Sequence, residues 1–528
     1  MESLVPYRST GGRRNNVQIG VGRSIWAGTP PSPIPERVLD GIPGCLAWLA
    51  LLMSTASAIA FPRAVLFVAA LLALYSAVRF LFAGLANVRG LRLIKEWEQI
   101  DWRAHYCEDT TPDKLKWEDV HHIVIIPNYK EPVLVLKRTL DVLAAQFEAK
   151  QRLSIVMAME AGEDGCIEKA EHLRQLYEPC FANFAYTVHP RGLPGEMQCK
   201  SANQAWAARW IKRRLVDELG YHIDHLVVTT MDADTRWHKN YFAALTYLFA
   251  VNPQRYLRFW QGPIRYHGNI WDINPLMRIV NAYSTAFELA YLAAPWWMAL
   301  PMSSYSLSLR LLEGSGYWDV DVIADEHHMF IKAYFARSGE VKLEPVFLPF
   351  LADATTGIDL WDAIRNRYQQ TLRHAWGSKE VGFTIARMLE HPEIQFLPAL
   401  NLLVRIAHDI LLAGAGWIIL TVGSQLPLVI HPTLLQQMLQ EGFTNPTWVI
   451  LQVSFLLVSI LGVVFWYQDV ISRPPRTRRQ TITERFLTLL SFPMLPILTL
   501  IFVALPVLQA QTRLMMGVPL QFRVTKKL

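Results

Sequence analysis

The sequence predicts an α/β domain, a mostly parallel sheet with helices on both faces, inserted between transmembrane helices. Three observations predict it. The 528-residue chain is 52% hydrophobic with a mean hydropathy of +0.17, high for a soluble chain. Apolar runs that reach the ~20 residues needed to span a bilayer cluster toward both ends. Between them lies a long polar block in which short β-branched runs alternate with helical periodicity.

Residues 1–40 carry Arg8, Arg13, Arg14, Arg23 and a "TPPSPIPE" segment, with no apolar core near Met1. They read as a flexible cytosolic tail without a cleaved signal peptide. Residues 41–87 hold two spans, Ile42 to Phe61 and Ala64 to Ala86, the second with Arg79 toward its far end. Basic residues before the first span keep the N-terminus in the cytosol, and two spans return the chain there, so residues 88–358 form the cytosolic working domain. Residues 359–400 read as amphipathic interfacial helices. Three more runs, Ile410 to Ile430, Thr447 to Tyr467 and Phe486 to Leu508, fall within 401–510, ahead of a basic tail, 511–528. Five spans put the C-terminus outside, yet "RVTKKL" is basic; the last run, with Pro493, Pro496 and Pro506, is open to kinking or re-entry, and a cytosolic C-terminus is expected.

Five cysteines without C-x-x-C spacing argue against a zinc site or a disulfide framework. The net charge of +6 points to a bilayer rather than nucleic acid, because arginines concentrate at juxtamembrane stretches such as "RPPRTRRQ".

Within the polar block, "HIVIIP" (His122 to Pro127) is strand-like, and Val133, Leu136, Leu140 and Leu143 follow Pro132 at helical spacing. "LSIVMAM", a helix near Glu168 to Leu176, "FAYTV", a helix from about Ser201 to Leu219 and "LVVTTM" continue the alternation. Ligands of such sheets bind at the carboxyl ends of strands. There "TTMDADT" places Asp232 and Asp234 at i and i+2, where both carboxylates can reach one cation; Mg²⁺ favours one or two carboxylates plus substrate phosphates. A plainer reading has Asp234 cap the next helix. A phosphatase-type nucleophile loop fits less well, because Arg236 stands at its fifth position.

Seven segments in order, "IPNYKEP", "MAMEAGEDG", "GEMQCKSANQAW", "TTMDADT", "FWQGPIRYHGN", "VIADEHHMFIK" and "RYQQTLRHAWG", resemble family-2 glycosyltransferases of the membrane-embedded processive kind, the group of cellulose, chitin and hyaluronan synthases. The resemblance runs from about Ile42 to the C-terminus. It implies a GT-A-like domain, a UDP-sugar donor, Mg²⁺ or Mn²⁺, and a growing glycan acceptor elongated by an inverting enzyme of the plasma membrane. By the same resemblance Tyr129 and Glu131 fall in the turn that holds uridine, with Lys130 where the family has Asn. Glu160 falls near the base, Lys200 and Asn203 in a K-x-x-N element beside the nucleotide, and Asp232 and Asp234 on the metal and diphosphate. Gln261 and Pro263 match a segment on the acceptor side, and His328 is grouped with them. Asp325 and Glu326 stand where the family carries its catalytic base, in reversed order; either alignment is open, with Glu326 favoured. Gln370 and Arg373 keep the family's Q-x-x-R, but His374 replaces Trp and Trp376 follows two later, so processive synthesis is less firmly implied than transfer. The alternatives are single transfer to a lipid or small acceptor, and a transporter or scaffold with an inactive domain. The sugar, its linkage and the oligomeric state are not specified.

Overall fold

The computed structural model describes residues 32–476 and 479–519. Most of the expected N-terminal tail and the "RVTKKL" stretch lie outside the described residues.

Among the described residues nine strands follow one another: β1 (His121–Asn128), β2 (Leu153–Glu160), β3 (Asn183–His189), β4 (Leu226–Thr230), β5 (Arg258–Gln261), β6 (Ile264–Arg265), β7 (Tyr305–Ser308), β8 (Lys342–Pro345) and β9 (Phe350–Leu351). Seven form one sheet in the order β3-β2-β1-β4-β7-β5-β8, while β6 and β9 pair separately. Only β7 runs antiparallel, against both β4 and β5. The sheet is thus mixed and mostly parallel, as the alternation predicts. The first four strands match the expected runs to within a residue or two at each end. The later, shorter strands were not foreseen, because two to four residues are too few to show an alternating pattern.

Burial on both faces explains the unbroken apolar character of β1. Val124 and Ile126 enter one core with Leu136, Leu140 and Leu143 of α3 (Val133–Ala144; α1 and α2 are the first two spans below). Ile123 and Ile125 enter the opposite core with Ala205, Ala208 and Ile211 of the helix Lys200–Ile211. Each such side chain contributes roughly 1.5–3 kcal/mol on burial.

Among the described residues five helices are long and apolar enough to cross a membrane: α1 (Glu36–Ala60), α2 (Pro62–Trp97), and further along Phe396–Gly416, Pro446–Ile471 and Leu495–Met516. Between them, α4 (Cys166–Tyr177), α5 (Lys200–Ile211), α6 (Tyr241–Val251), α7 (Pro275–Ala293), α8 (Asp325–Ala336), α9 (Leu360–Ala375) and α10 (Lys379–Glu390) belong to the α/β domain and its edge. The remaining apolar helices are α11 (Phe396–Gly416), α12 (Pro446–Ile471) and α14 (Leu495–Met516), with α13 (Ile482–Ser491) before the last.

Three differences from the expected spans have physical causes. Helix α1 starts at Glu36, inside the predicted tail, where Lys379 of α10 pairs with Glu36 at 2.6 Å. Helix α11 starts at Phe396, well before residue 410, because Ala399, Leu402 and Ile406 pack into the domain core. Its Arg405, His408 and Asp409 lower the hydropathy there; Arg79 of α2 pairs with that Asp409 at 2.9 Å. The last run is split at Phe492–Met494, with α13 opened by a capping box of Thr481 and Glu484.

The apolar helices have identifiable ends. His431 Nε2 lies 3.2 Å from the carbonyl of Ile59, placing both at the end away from the domain. Asp469, near the end of α12, lies 2.7 Å from His267 of the domain. Glu484 of α13 lies 3.8 Å from Arg278 of α7, and Arg37 donates to the carbonyls of Leu514 and Met515 at 2.5 and 2.8 Å. Both ends of the α13–α14 segment therefore lie on the side of the α/β domain.

Candidate functional site

After β1 the chain moves outward to β2 and β3, then returns to β4 on the other side of β1. This reversal leaves a crevice at the carboxyl ends of β1 and β4, where ligands of open α/β sheets bind. Asp232 stands two residues past β4 with its side chain 36% exposed. Antiparallel β7 brings the loop before it to the same place: Ser303 Oγ donates to Asp232 Oδ2 at 2.9 Å, and the Asp232 amide donates to Ser304 Oγ at 3.3 Å.

Lys200, the first residue of α5, reaches across the crevice. Its Nζ lies 2.9 Å from Asp232 Oδ1 and 3.3 Å from Glu326 Oε1, and donates to the Ser303 carbonyl at 3.3 Å. Asp325 and Glu326 open α8, where the positive end of the helix dipole favours carboxylates. The two differ in setting. Glu326 has a side chain 24% exposed, whereas Asp325 is 3% exposed and its Oδ2 has no hydrogen-bond partner among the described residues. Burial, and then the Glu326 charge, raise the Asp325 carboxyl above the usual range. Burial opposes the charge of Lys200, but Asp232, Asp325 and Glu326 more than offset it and hold the ammonium protonated. Burial likewise lowers Arg373 on α9, against the attraction of Asp232, Glu326 and Asp325, which places its guanidinium within their field.

Asp232, Lys200, Asp325, Glu326 and Arg373 are thus brought together. Asp234 is not in the same position: it is 2% exposed, and its Oδ2 accepts from the Asp353 amide at 2.8 Å, while Asp353 pairs with Arg236 at 2.7 Å. Among the described residues no group of three or more His, Cys, Asp or Glu is preassembled around one metal position. A cation held against a diphosphate needs only one or two protein carboxylates, with phosphate and water completing its shell. The half-exposed Asp232, backed by two further carboxylates around a single lysine, fits that requirement.

Of the residues expected on the nucleotide side, Tyr129, Glu131 and Glu160 lie at the carboxyl ends of β1 and β2. Tyr129 and Glu131 follow β1 in a turn whose middle residue, Lys130, has φ +61° and donates its amide to Glu163 at 2.6 Å. Gly162 packs closely against this turn: a Cβ there would lie 3.0 Å from the Tyr129 ring. Glu160 ends β2 beside His189, which stands between Glu160 at 3.2 Å and Glu196 at 2.8 Å. Asn203 turns away from the crevice, its amide donating to the Ala158 carbonyl at 2.8 Å, and ties α5 to β2.

On the acceptor side the structure departs from the expectation. His328 does not face the crevice; it is buried between Asp319 at 2.8 Å and Glu380 at 2.9 Å. Burial works against its charge, yet the two carboxylates raise it to about 9. Gln261 is 1% exposed and accepts from the Met302 amide at 2.6 Å, so it positions the Ser303 loop. The carbonyl of Pro263 accepts from Phe350 at 3.0 Å and seats the β6–β9 pair. Gln370 accepts from Thr355 at 2.6 Å and Arg367 at 3.0 Å. Trp376 starts a short turn, Trp376–Ser378, whose Gly377 has room for a Cβ only 3.5 Å from Ala324, just before α8. The expected interfacial face of α9 is partly covered: Leu372 is 2% exposed, and Tyr368 donates to Gln509 of α14 at 2.8 Å. Ser303 was missed by the sequence reading; "PMSSYSLS" carries two serines directly ahead of a strand, but nothing in the sequence says which strand it joins.

No protein-family model matches the sequence, and no curated protein matches it. Among solved structures, the chain is similar to a mannosyltransferase from Pyrobaculum calidifontis in complex with GDP-Man and Mn²⁺, at 14% identity and a TM-score of 0.40, over 73% of this chain and 99% of that one. TarS 1–349 of S. aureus in complex with UDP-GlcNAc shows 11% identity and a TM-score of 0.31, over 61% and 92%. GalNAc-T7 with UDP, GalNAc and Mn²⁺ shows 12% and 0.32, over 55% and 57%.

Proposed function

We propose that the chain is a multi-pass plasma-membrane glycosyltransferase with its α/β domain in the cytosol, which uses a UDP-sugar and Mg²⁺ or Mn²⁺ to elongate a β-linked glycan with inversion. One observation carries this reading: a single lysine, Lys200, joins Asp232 at the end of β4 to Glu326 at the start of α8. A carboxylate suited to a metal-bound diphosphate and a carboxylate suited to accept a proton thus share one crevice.

Asp232 holds the cation, with Asp234 fixing the turn behind it. When bound, the cation neutralises charge on the diphosphate leaving group. Lys200 and Arg373 add positive charge on the same side, which is worth most where water is excluded. Tyr129, Glu131 and Glu160 border the base. As the acceptor hydroxyl attacks the anomeric carbon, a C–O bond forms, the bond to the diphosphate oxygen breaks on the opposite face, and Glu326 takes the hydroxyl proton. The five apolar helices provide the route by which a growing product leaves the cytosolic side. Purified protein offered a panel of labelled UDP-sugars with Mn²⁺ should give a retained labelled product from one of them. Long products support elongation, short ones single transfer, and the absence of any product from every donor refutes the reading.

A further inference from the structure

A second polar group lies next to the crevice and is not used by the donor site. Tyr266, one residue past β6, donates its hydroxyl to Glu288 Oε1 of α7 at 2.9 Å. The other oxygen, Glu288 Oε2, is buried with no hydrogen-bond partner among the described residues, and so is Nε of Arg367 on α9. Glu288 and Arg367 lie within each other's field, yet no ion pair within 4 Å joins them. All three side chains are half-buried, so the group is not sealed into the core. Tyr266 lies near the Asp232 turn: the preceding Arg265 carbonyl accepts from the Ala352 amide at 3.0 Å, and the next amide, that of Asp353, donates to Asp234 Oδ2 at 2.8 Å.

A buried donor and a buried acceptor left unmet cost free energy unless something satisfies both. An anion would suit Arg367 but face Glu288; a cation would suit Glu288 but face Arg367. A neutral ring bearing hydroxyls can accept from one and donate to the other, and the Tyr266 ring offers it an apolar face.

We propose that Tyr266, Glu288 and Arg367 form a subsite for a neutral, hydroxyl-rich ring, the terminal sugar of the acceptor, beside the Asp232 end of the crevice. This rests on the glycosyl-transfer reading and specifies where its acceptor sits. The test uses the full chain in nanodiscs and measures by calorimetry the binding of cellotetraose, maltotetraose and chitotetraose, and separately of UDP with Mn²⁺. Wild type should bind at least one tetrasaccharide, and Glu288→Ala and Tyr266→Ala should each weaken that binding about tenfold or more, with UDP affinity changed less than twofold. Glu288→Gln, which keeps the shape and hydrogen-bonding capacity, should retain most of the binding and guards against misfolding of the alanine variant. Tetrasaccharide binding unaffected by Glu288→Ala and Tyr266→Ala, no tetrasaccharide binding by wild type, or loss of UDP binding in the variants would each overturn the subsite. Failure of wild type to bind UDP would instead overturn the proposed function.

Discussion

Replacing each of the two acids at the start of α8 separates chemistry from stability. Glu326 is partly open and touches Lys200 at 3.3 Å, so Glu326→Gln removes the proton acceptor while keeping shape and most hydrogen bonding. A positioned base contributes ~10²- to 10⁴-fold, about 3–5 kcal/mol of barrier at ~1.4 kcal/mol per factor of ten; transfer should fall by that amount with UDP affinity nearly unchanged. Asp325 is buried, and its carboxyl is raised by burial and by Glu326. Because its folded-state value lies above its unfolded one, the stability it contributes is present at low pH and is lost as pH rises from the ordinary carboxylate range toward the folded value. Asp325→Asn should therefore melt higher than wild type at pH 8, with the difference shrinking toward pH 5, and should lose less activity than Glu326→Gln. The assay pairs thermal melting with transfer from a labelled donor and UDP calorimetry. Lost transfer in Asp325→Asn with near-normal transfer in Glu326→Gln would reassign the base, and near-normal transfer in both would remove a carboxylate base from this segment.

Three further outcomes are expected. Asp234→Asn weakens a charge-assisted hydrogen bond to the Asp353 amide and should lower stability by about 1–3 kcal/mol, read as a lower melting temperature that added UDP and Mn²⁺ do not restore to wild type. His328, raised to about 9 by Asp319 and Glu380 against burial, contributes stability that is full below its unfolded value near ~6.5 and lost as pH rises through about 9, on the order of 3 kcal/mol; melting temperature should fall over that window in wild type and stay flatter in His328→Gln. With the end of α14 held by Arg37 at the start of α1, a C-terminal tag should resist protease added outside sealed cells, and its cleavage would contradict the re-entrant arrangement of α13 and α14.

The first half of the sheet was legible because four apolar strands of five to eight residues are separated by periodic helices; the pattern states its own layers. Strands β5 to β9 have two to four residues, and their pairing depends on contacts with residues far away in the chain, which no local period encodes. The same contrast holds at the crevice. Asp232 and the Asp325–Glu326 pair were readable because each follows or opens an element whose end is marked in sequence. Ser303, and the Tyr266–Glu288–Arg367 group, depend on β7, α7 and α9 meeting in space. His328 was misplaced because it lies three residues past Asp325 on α8: one helical turn carries it from the crevice end into the packing with α10, where Glu380 and Phe383 receive it. The spans were readable by hydropathy except where α1 begins inside the expected tail, where α11 buries its first turns in the domain and where the last run is split at Phe492–Met494.

The central claim is that Asp232 holds a divalent cation against a nucleotide diphosphate, and calorimetry of UDP binding to the full chain in nanodiscs tests it most directly. Wild type should bind UDP in the presence of Mn²⁺ and lose that binding in EDTA, and Asp232→Asn should bind at least tenfold more weakly with Mn²⁺ while melting within a few degrees of wild type. Equal UDP affinity with and without metal, or in wild type and Asp232→Asn, would contradict the account.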